Sequence, residues 1–456
     1  MSPLIFQLVP DSQARSRAVV APGQTVKPGQ VILRSSSLAT SLLPKSRGQR
    51  CDECCRQTTV KACSRCKEAF YCDTRCQSAA WKSHHRTTCA LLSNGYRAKH
   101  PYISQPEGKQ ADLDLLITLY GLVATSQPSM FEQSNWAVRR EPTLLPEEPL
   151  ECFSTLLPHS GQVGPPYIPT TFGKTQAEFL KEAWARFENN NFVLHNISSM
   201  VPNSGAYAHG IFPHASRGFN HSCSPNAWPA FVLEQRQAWL EIRALISIKE
   251  SEEITIPYLD PALSLPERQA RLKATYGFDC TCSRCDLEKK LPLPTELPRY
   301  TLLVEQELTT YVFPGSPDEF QVDGSNLDLL RQLPAHLGAV RHELFFKSLS
   351  KRFEDHVHDG PYEDAWTIGR ALLALCILVY PPNYPLIGYY GLELAKASWN
   401  AHISDLVTPW ARRLSRLLDF IEPILAIVAL EEEGQNDGLG VCKTLRDMLM
   451  EDASSG

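Results

Sequence analysis

Twelve residues in this chain have the types and spacings of metal ligands. Eight lie between positions 51 and 89: Cys51-x2-Cys54, Cys63-x2-Cys66, Cys72-x3-Cys76 and His85-x3-Cys89. Cysteines paired at such short separations let two thiolates reach one tetrahedral ion, so eight ligands for two zinc ions is the simplest count. His84 competes with His85 for the imidazole place. The other four are Cys223 and, within Cys280-Thr281-Cys282-Ser283-Arg284-Cys285, the three cysteines. Cys223 sits in the polar stretch Gly218-Phe219-Asn220-His221-Ser222-Cys223-Ser224-Pro225-Asn226, which precedes apolar, strand-like residues 230–233 and 238–248. Polar groups placed in a core must find hydrogen-bond partners. Either this is a capped loop around a buried cysteine, or Cys223 completes a zinc site with Cys280, Cys282 and Cys285 and ties the segment to the later half of the chain.

With 456 residues, 43% hydrophobic and 21% charged, the chain has ordinary globular composition and room for two or three domains. Its net charge of -5 argues against a general nucleic-acid binder. Residues 51–89 agree. Their seven Lys or Arg outnumber four Asp or Glu, and seven thiolates with two zinc ions bring the balance to about zero. The longest strongly apolar run, residues 371–380, is too short to span a bilayer, so no membrane association is expected. The start Met1-Ser2-Pro3-Leu4-Ile5 lacks the basic head and long apolar core of a secretion signal, and an intracellular protein is expected. In that setting fifteen cysteines read as metal ligands rather than disulfides. Cys55, Cys152, Cys376 and Cys442 fall outside the ligand patterns and read as structural thiols.

The elements that must position these residues are marked less evenly. Residues 4–33 read as a short β unit, in its plainest form a hairpin: Ala18-Val19-Val20-Ala21 and Val31-Ile32-Leu33 are apolar runs with the turn signal Lys27-Pro28-Gly29 between them. Leu113, Leu116, Leu119, Tyr120 and Val123 have helical spacing. Eight prolines from Pro128 to Pro169 make residues 90–178 a loop-rich connector. Thr175-x-x-Glu178 reads as a capping box for a helix whose Leu180, Ala183, Trp184 and Phe187 share a face. Residues 296–456 are mostly helical in pattern. Leu414, Leu417, Leu418, Ile421, Leu425 and Val428 form one stripe, and Tyr380-Pro381-Pro382-Asn383-Tyr384-Pro385 separates two helices. Glu431-Glu432-Glu433 reads as a solvated charge run.

Three stretches taken together resemble the SET family of protein lysine methyltransferases: Asn220-His221-Ser222-Cys223-x-Pro225-Asn226, Glu252-Glu253-Ile254-Thr255-Ile256-x-Tyr258, and the closing Cys-x-Cys-x2-Cys. Residues 51–89 resemble a MYND finger, whose further markers Phe70-Tyr71-Cys72, Cys76-Gln77 and Trp81 are present. The order of these parts is similar to that of the SET-and-MYND (SMYD) proteins. Residues 384–390 are similar to the helical end of that family, which packs like tetratricopeptide repeats; an ordinary helical bundle fits them almost as well.

The resemblance implies an α+β multidomain fold, a β-rich SET core with an inserted zinc-binding MYND finger, a cysteine-rich post-SET segment and a helical C-terminal domain. The implied parts are the N-terminal part of the SET domain at 1–50, the MYND finger at 51–89, a helical and proline-rich insert at 90–178, the SET core at 179–260, the post-SET segment at 261–290 and the helical domain at 296–456. Three zinc ions are implied: one on Cys51, Cys54, Cys72 and Cys76, one on Cys63, Cys66, His85 and Cys89, one on Cys223, Cys280, Cys282 and Cys285. The implied reaction moves a methyl group from S-adenosylmethionine to a lysine of a histone or non-histone protein, with Tyr258 catalytic. Cofactor contacts are implied for Arg15, Arg17, Asn190, Asn220, His221, Tyr258 and Phe278; Asn190 reads equally well as part of a helix C-terminal loop. Proline-rich peptides are the partners implied for the finger, and the cytoplasm and nucleus the compartments.

The sequence also departs from the family's pattern. Its Gly-x-Gly near the cofactor is Ser16 and Ala18 here, and its usual glycine before Glu252-Glu253 is Ser251. Pro257, which cannot donate a ladder hydrogen bond, puts the strand before Tyr258 at an edge or an end. Ser216-Arg217 is more polar than expected. The first change motivates a second reading, a catalytically weak or inactive adaptor that binds partners through the finger and the helical end.

Overall fold

A computed structural model describes residues 5–10, 16–127, 148–158, 164–187, 189–195, 205–298, 301–316, 318–358, 360–404, 409–428 and 438–455. Arg15 and the run Glu431-Glu432-Glu433 lie outside the described residues. Around the Asn220-His221 segment the chain builds several small sheets. Phe6–Pro10 pairs antiparallel with Ser16–Val20. Gln237–Ala244 is the middle strand between Ala227–Glu234 and Val31–Ser36. Ala206–Ile211 lies between Ala39–Leu42 and Asn191–His195. Asn220–His221 runs parallel to Thr255–Ile256.

Ala227–Glu234 is apolar on both faces, and the period-2 alternation of a strand explains why. Ala227, Phe231 and Leu233 enter the core of the small sheets, while Trp228 and Ala230 enter the core of the helical half. The strand is therefore the seam between the two.

The hairpin expected from residues 18–21 and 31–33 does not form. The two runs belong to different sheets, because each finds a longer partner: Phe6–Pro10 for the first and Gln237–Ala244 for the second. The turn signal between them is a corner instead. Gln30 N–H donates to the Lys27 carbonyl at 3.0 Å, and Gly29 takes φ +79°, which glycine adopts without strain. Val26 bridges to Ile248 on the way.

The finger is built from a two-residue strand pair, Lys61–Ala62 with Phe70–Tyr71, followed by helical turns from Thr74 to Ser93. Asp73 starts the first of them by accepting from Cys76 N–H at 2.9 Å. This unit packs on the helix Glu107–Ser126, which contains the helical spacing read from Leu113 to Val123. Gly121 allows the approach: a Cβ there would lie 2.8 Å from Thr88 Cγ2 and 2.9 Å from the His84 carbonyl. The next long helix, Lys174–Phe187, begins one residue before Thr175. The capping position therefore falls on Gly173, whose carbonyl accepts from Ala177 N–H at 3.0 Å, and the capping box placed on Thr175 is corrected.

Beyond residue 300 the described residues are mostly helical. Tyr362–Val379, Pro385–Ser404 and Trp410–Val428 share one apolar core, with the stripe residues Leu414, Leu417, Leu418, Ile421 and Leu425 buried in it. The proline-rich break at residues 380–385 separates the first two helices, as its sequence requires. Among the described residues no helix is long and apolar enough to cross a membrane.

Candidate active site and metal centres

Three groups of side chains meet with ligand geometry. They are Cys51, Cys54, Cys72 and Cys76; Cys63, Cys66, His85 and Cys89; and Cys223, Cys280, Cys282 and Cys285. In each, the four ligand atoms lie within 4.8 Å of one another. The first two groups interleave along the chain because the strand pair folds residue 72 back beside the first turn. The Asp52 carboxylate fastens that turn by accepting from Phe70 N–H at 2.7 Å. His85 and Cys89, four residues apart on helical backbone, face the same way. His84 is outside the group; its Nδ1 is hydrogen-bonded to Ser83 Oγ at 2.9 Å. Four thiolates, or three with one imidazole, are the donor sets of structural zinc.

His221 is buried between the third group and Tyr258. Its Nδ1 accepts the Tyr258 backbone N–H at 3.1 Å, so the ring proton belongs on Nε2, which lies 3.2 Å from Cys223 Sγ. A ring N–H aimed at a ligand sulfur both orients it and favours its thiolate. Arg284 supports the same group by donating to the Cys223 carbonyl at 3.2 Å and to the Val379 carbonyl at 2.5 Å. Arg284 and Arg268 both pair with the buried Glu288. Burial alone would push the Glu288 carboxyl up, but the two guanidiniums outweigh it and hold it below the usual range.

The Tyr258 hydroxyl donates to the Phe219 carbonyl at 2.8 Å. The strand before it is only Thr255–Ile256 and stops at Pro257. Asn226 holds that strand in place: its Oδ1 accepts from Thr255 N–H and its Nδ2 donates to the Glu253 carbonyl, both at 2.8 Å. Ser251 has φ +64°, the left-handed region where glycine is at ease, and the serine costs about 1 kcal/mol there. The Asn220 amide donates to Glu253 Oε1 at 2.9 Å. Ser16 and Ala18 are both buried beside it, and Ala18 packs against Gly218.

An open cleft passes over this hydroxyl. Residues 189–193, His195, Phe231, Ser216 and Phe219 form one side, residues 256–260 and Tyr276 the floor, and Trp228 and residues 384–386 the far side. The rings of Tyr258 and Tyr276 are 4.8 Å apart, and those of Trp228 and Tyr384 are 4.9 Å apart. No Lys or Arg is among the described residues that line it, and Asp260 supplies a carboxylate. Burial raises the Asp260 carboxyl, against hydrogen bonds from Ala262 N–H at 2.9 Å and the Tyr380 hydroxyl at 3.1 Å. Burial also pushes the Tyr276 hydroxyl up to about 12.

Of the residues expected at the cofactor, Asn190 and Tyr258 line the cleft. The Asn190 amide also donates to the Arg186 carbonyl, so it terminates the preceding helix as well. Asn220, His221 and Phe278 are not among the lining residues; the Phe278 ring lies 6.3 Å from that of His221. Arg17 is exposed on its strand. Trp228, Asp260, Tyr276 and Tyr384 line the cleft and were not expected there from the sequence, which marked Tyr384 only as part of a break between helices. Tyr276 had a local signal, an aromatic residue closing a helix at Gly277, which takes φ +75°. The other three have none.

A SET-domain family model matches residues 24–259, more than half of the chain, including Tyr258 and the finger. The chain belongs to the SET family. Among curated proteins, histone-lysine N-methyltransferase SMYD3 of Mus musculus is 29% identical over 268 residues, 58% of this chain and 58% of that protein. Histone-lysine N-methyltransferase ASHR1 of Arabidopsis thaliana is 28% identical over 271 residues, 57% of this chain and 51% of that protein. Histone-lysine N-methyltransferase SMYD1 of Homo sapiens is 28% identical over 259 residues, 52% and 46% respectively. The matches thus span about half of the lengths of these relatives. With its helical half and three cysteine-rich groups, this SET-family chain is of the SMYD type, with the α+β multidomain fold expected of it.

Proposed function

We propose that this chain is a protein-lysine methyltransferase that uses S-adenosylmethionine. The observation that carries the proposal is the Tyr258 hydroxyl held on the Phe219 carbonyl at the floor of a cleft whose described lining residues include no lysine or arginine. A cationic sulfonium and a lysine amine both suit walls of aromatic rings, carbonyl oxygens and one carboxylate, so the residues present fit the cofactor. Asn190 and Tyr258 would hold it from within the cleft, with Asn220 and His221 setting the backbone behind them. When bound, S-adenosylmethionine supplies an electrophilic methyl group.

The rest falls to the protein. A free lysine has a pKa near 10.4, so about one in a thousand is neutral at pH 7.4, a deficit of about 4 kcal/mol. Loss of water from the amine inside the cleft, beside a positively charged sulfonium, disfavours its charged form. The Tyr258 hydroxyl, fixed by its bond to Phe219, orients the amine, and alignment of this kind contributes roughly 7–11 kcal/mol in favourable cases. His221 keeps Tyr258 in place through its backbone N–H. The three cysteine-rich groups fit zinc, and the third would anchor the segment that carries Tyr276 to the cleft floor. A protein substrate, proline-rich partners at the finger, and action in cytoplasm or nucleus belong to the same proposal.

Calorimetric titration of S-adenosylmethionine into zinc-replete protein tests it. Micromolar binding is expected, with Tyr258→Phe changing affinity little and lowering methyl transfer roughly 100-fold. Failure of the folded protein to bind would favour the adaptor reading, which the buried Ser16 and Ala18 in place of glycine would then explain.

A further inference from the structure

The helix Glu107–Ser126 touches both the finger and the cleft wall, through different residues. On the finger side are Gly121, against His84 and Thr88, and Thr125, whose hydroxyl meets that of Thr87 at 3.2 Å. Asp114 adds a pair with Arg97 at 2.9 Å, and Arg97 donates to the Glu68 carbonyl at 2.6 Å. On the cleft side is Asp112, only 6% exposed. Its Oδ1 accepts from Asn191 Nδ2 and from His209 Nδ1, each at 2.7 Å, while Lys109 Nζ lies 3.7 Å from Oδ2.

Asn191 and His209 belong to paired strands, with Asn191 opposite Ile211 and Val193 opposite His209. The neighbouring Asn190 carbonyl accepts from Ser216 Oγ at 2.8 Å. Asn190, Asn191, Phe192 and Ser216 all line the cleft. One carboxylate therefore fixes this wall to the helix on which the finger rests. A buried carboxylate with two short hydrogen bonds holds its donors more tightly than a neutral acceptor does.

We propose that Asp112 is a positioning residue for the cleft, and that it links the packing of the finger to the wall formed by Asn190, Asn191 and Phe192. The inference deepens the reading of the cleft as a cofactor and lysine site, and rests on it. Asp112 touches no reacting atom; it acts through Asn191.

Two measurements on the full, zinc-replete chain test this. The first is hydrogen exchange along Asn191–His195. Asp112→Asn is expected to speed exchange there roughly tenfold, while Gln237–Ala244 stays as protected as before. Asn191→Ala removes the same bond from the less buried side and keeps the test available should Asp112→Asn fold poorly. Gly121→Ala, which pushes the finger off the helix, is expected to speed exchange at the same strand, and to add nothing once Asp112 is Asn. The second is the S-adenosylmethionine dissociation constant, expected to rise roughly tenfold in Asp112→Asn and no further in the Asp112→Asn, Asn191→Ala double variant. Unchanged exchange along Asn191–His195 in Asp112→Asn would overturn the proposal, as would additive effects in the double variant. If the wild-type chain binds no S-adenosylmethionine, the reading of the cleft falls, and exchange alone decides the linkage.

Discussion

From Cys51 to Ser93 the buried side chains are chiefly cysteine thiols with His85, Tyr71, Leu92 and a few small residues. From Tyr362 to Val379 nearly every side chain after Asp364 is buried, and almost all are aliphatic or aromatic. Each segment packs on helices, the first on Glu107–Ser126 and the second among the helices beyond residue 300, yet one has little apolar material of its own and the other has little else. The finger can close only by exchanging apolar burial for coordination, which in small zinc fingers contributes roughly 10–16 kcal/mol per site. That matches or exceeds the roughly 5–15 kcal/mol by which a typical domain is stable. The helical half relies on many small transfers of apolar surface from water. The difference teaches where each region is vulnerable: the finger to loss of an ion, the helices to loss of shape.

The largest expected effect separates the two outright. Chelation by a strong zinc chelator should abolish hydrogen-exchange protection across residues 51–93 while leaving Tyr362–Val379 and Pro385–Ser404 protected. If both regions lose protection together, their independence is wrong. Next is Glu288→Gln, at the border between the third cysteine group and the helices. It leaves the buried Arg268 and Arg284 guanidiniums without the carboxylate they share, and should cost about 3–5 kcal/mol in urea denaturation. The same carboxyl is held below its unfolded range, so its contribution is present above the ordinary glutamate pKa of about 4.3 and is lost as pH falls through the folded value. The pH dependence of the urea midpoint should therefore flatten in Glu288→Gln on the acid side.

Within the helical half, Leu418→Ala opens a cavity in a fully buried site and should cost about 2–5 kcal/mol with no zinc released. Zinc release in that variant would show that the two regions are coupled more closely than their cores suggest. The smallest effect is expected at Gly388, where a Cβ would lie 2.8 Å from Leu425 Cδ2. Overpacking and the better helix propensity of alanine oppose each other in Gly388→Ala, leaving a net loss of about 1 kcal/mol.

The same contrast governs what could be read from the chain itself. Metal-ligand spacing is partly local: each group takes at least one short pair such as Cys51-x2-Cys54 or Cys280-x-Cys282. The resemblance supplied how the pairs combine and that distant Cys223 joins the last group. All twelve expected ligands meet, in the three groups expected. Helical stripes are local too, and Leu414 to Leu425 fell on one helix. Strand partnership is not local. The runs at residues 18–21 and 31–33 looked like each other's partners because nothing in them names Phe6–Pro10 or Gln237–Ala244. The cleft wall is the extreme case. Tyr258 was legible from its motif, but Trp228, Asp260 and Tyr384 become neighbours only through the seam strand Ala227–Glu234 and the aromatic stack beside it.

That far wall also sets a schedule for biosynthesis. Residues 384–386 leave the ribosome well after Asn190, Phe219 and Tyr258, and synthesis runs from the N-terminus at roughly 5–20 residues per second. For many seconds the nascent β core presents Trp228 with no Tyr384 to cover it. During that interval the emerging chain carries an uncovered aromatic surface, the kind of surface that holdase chaperones bind. Completion of the helix Pro385–Ser404, rather than of the SET motifs, is the event that closes it.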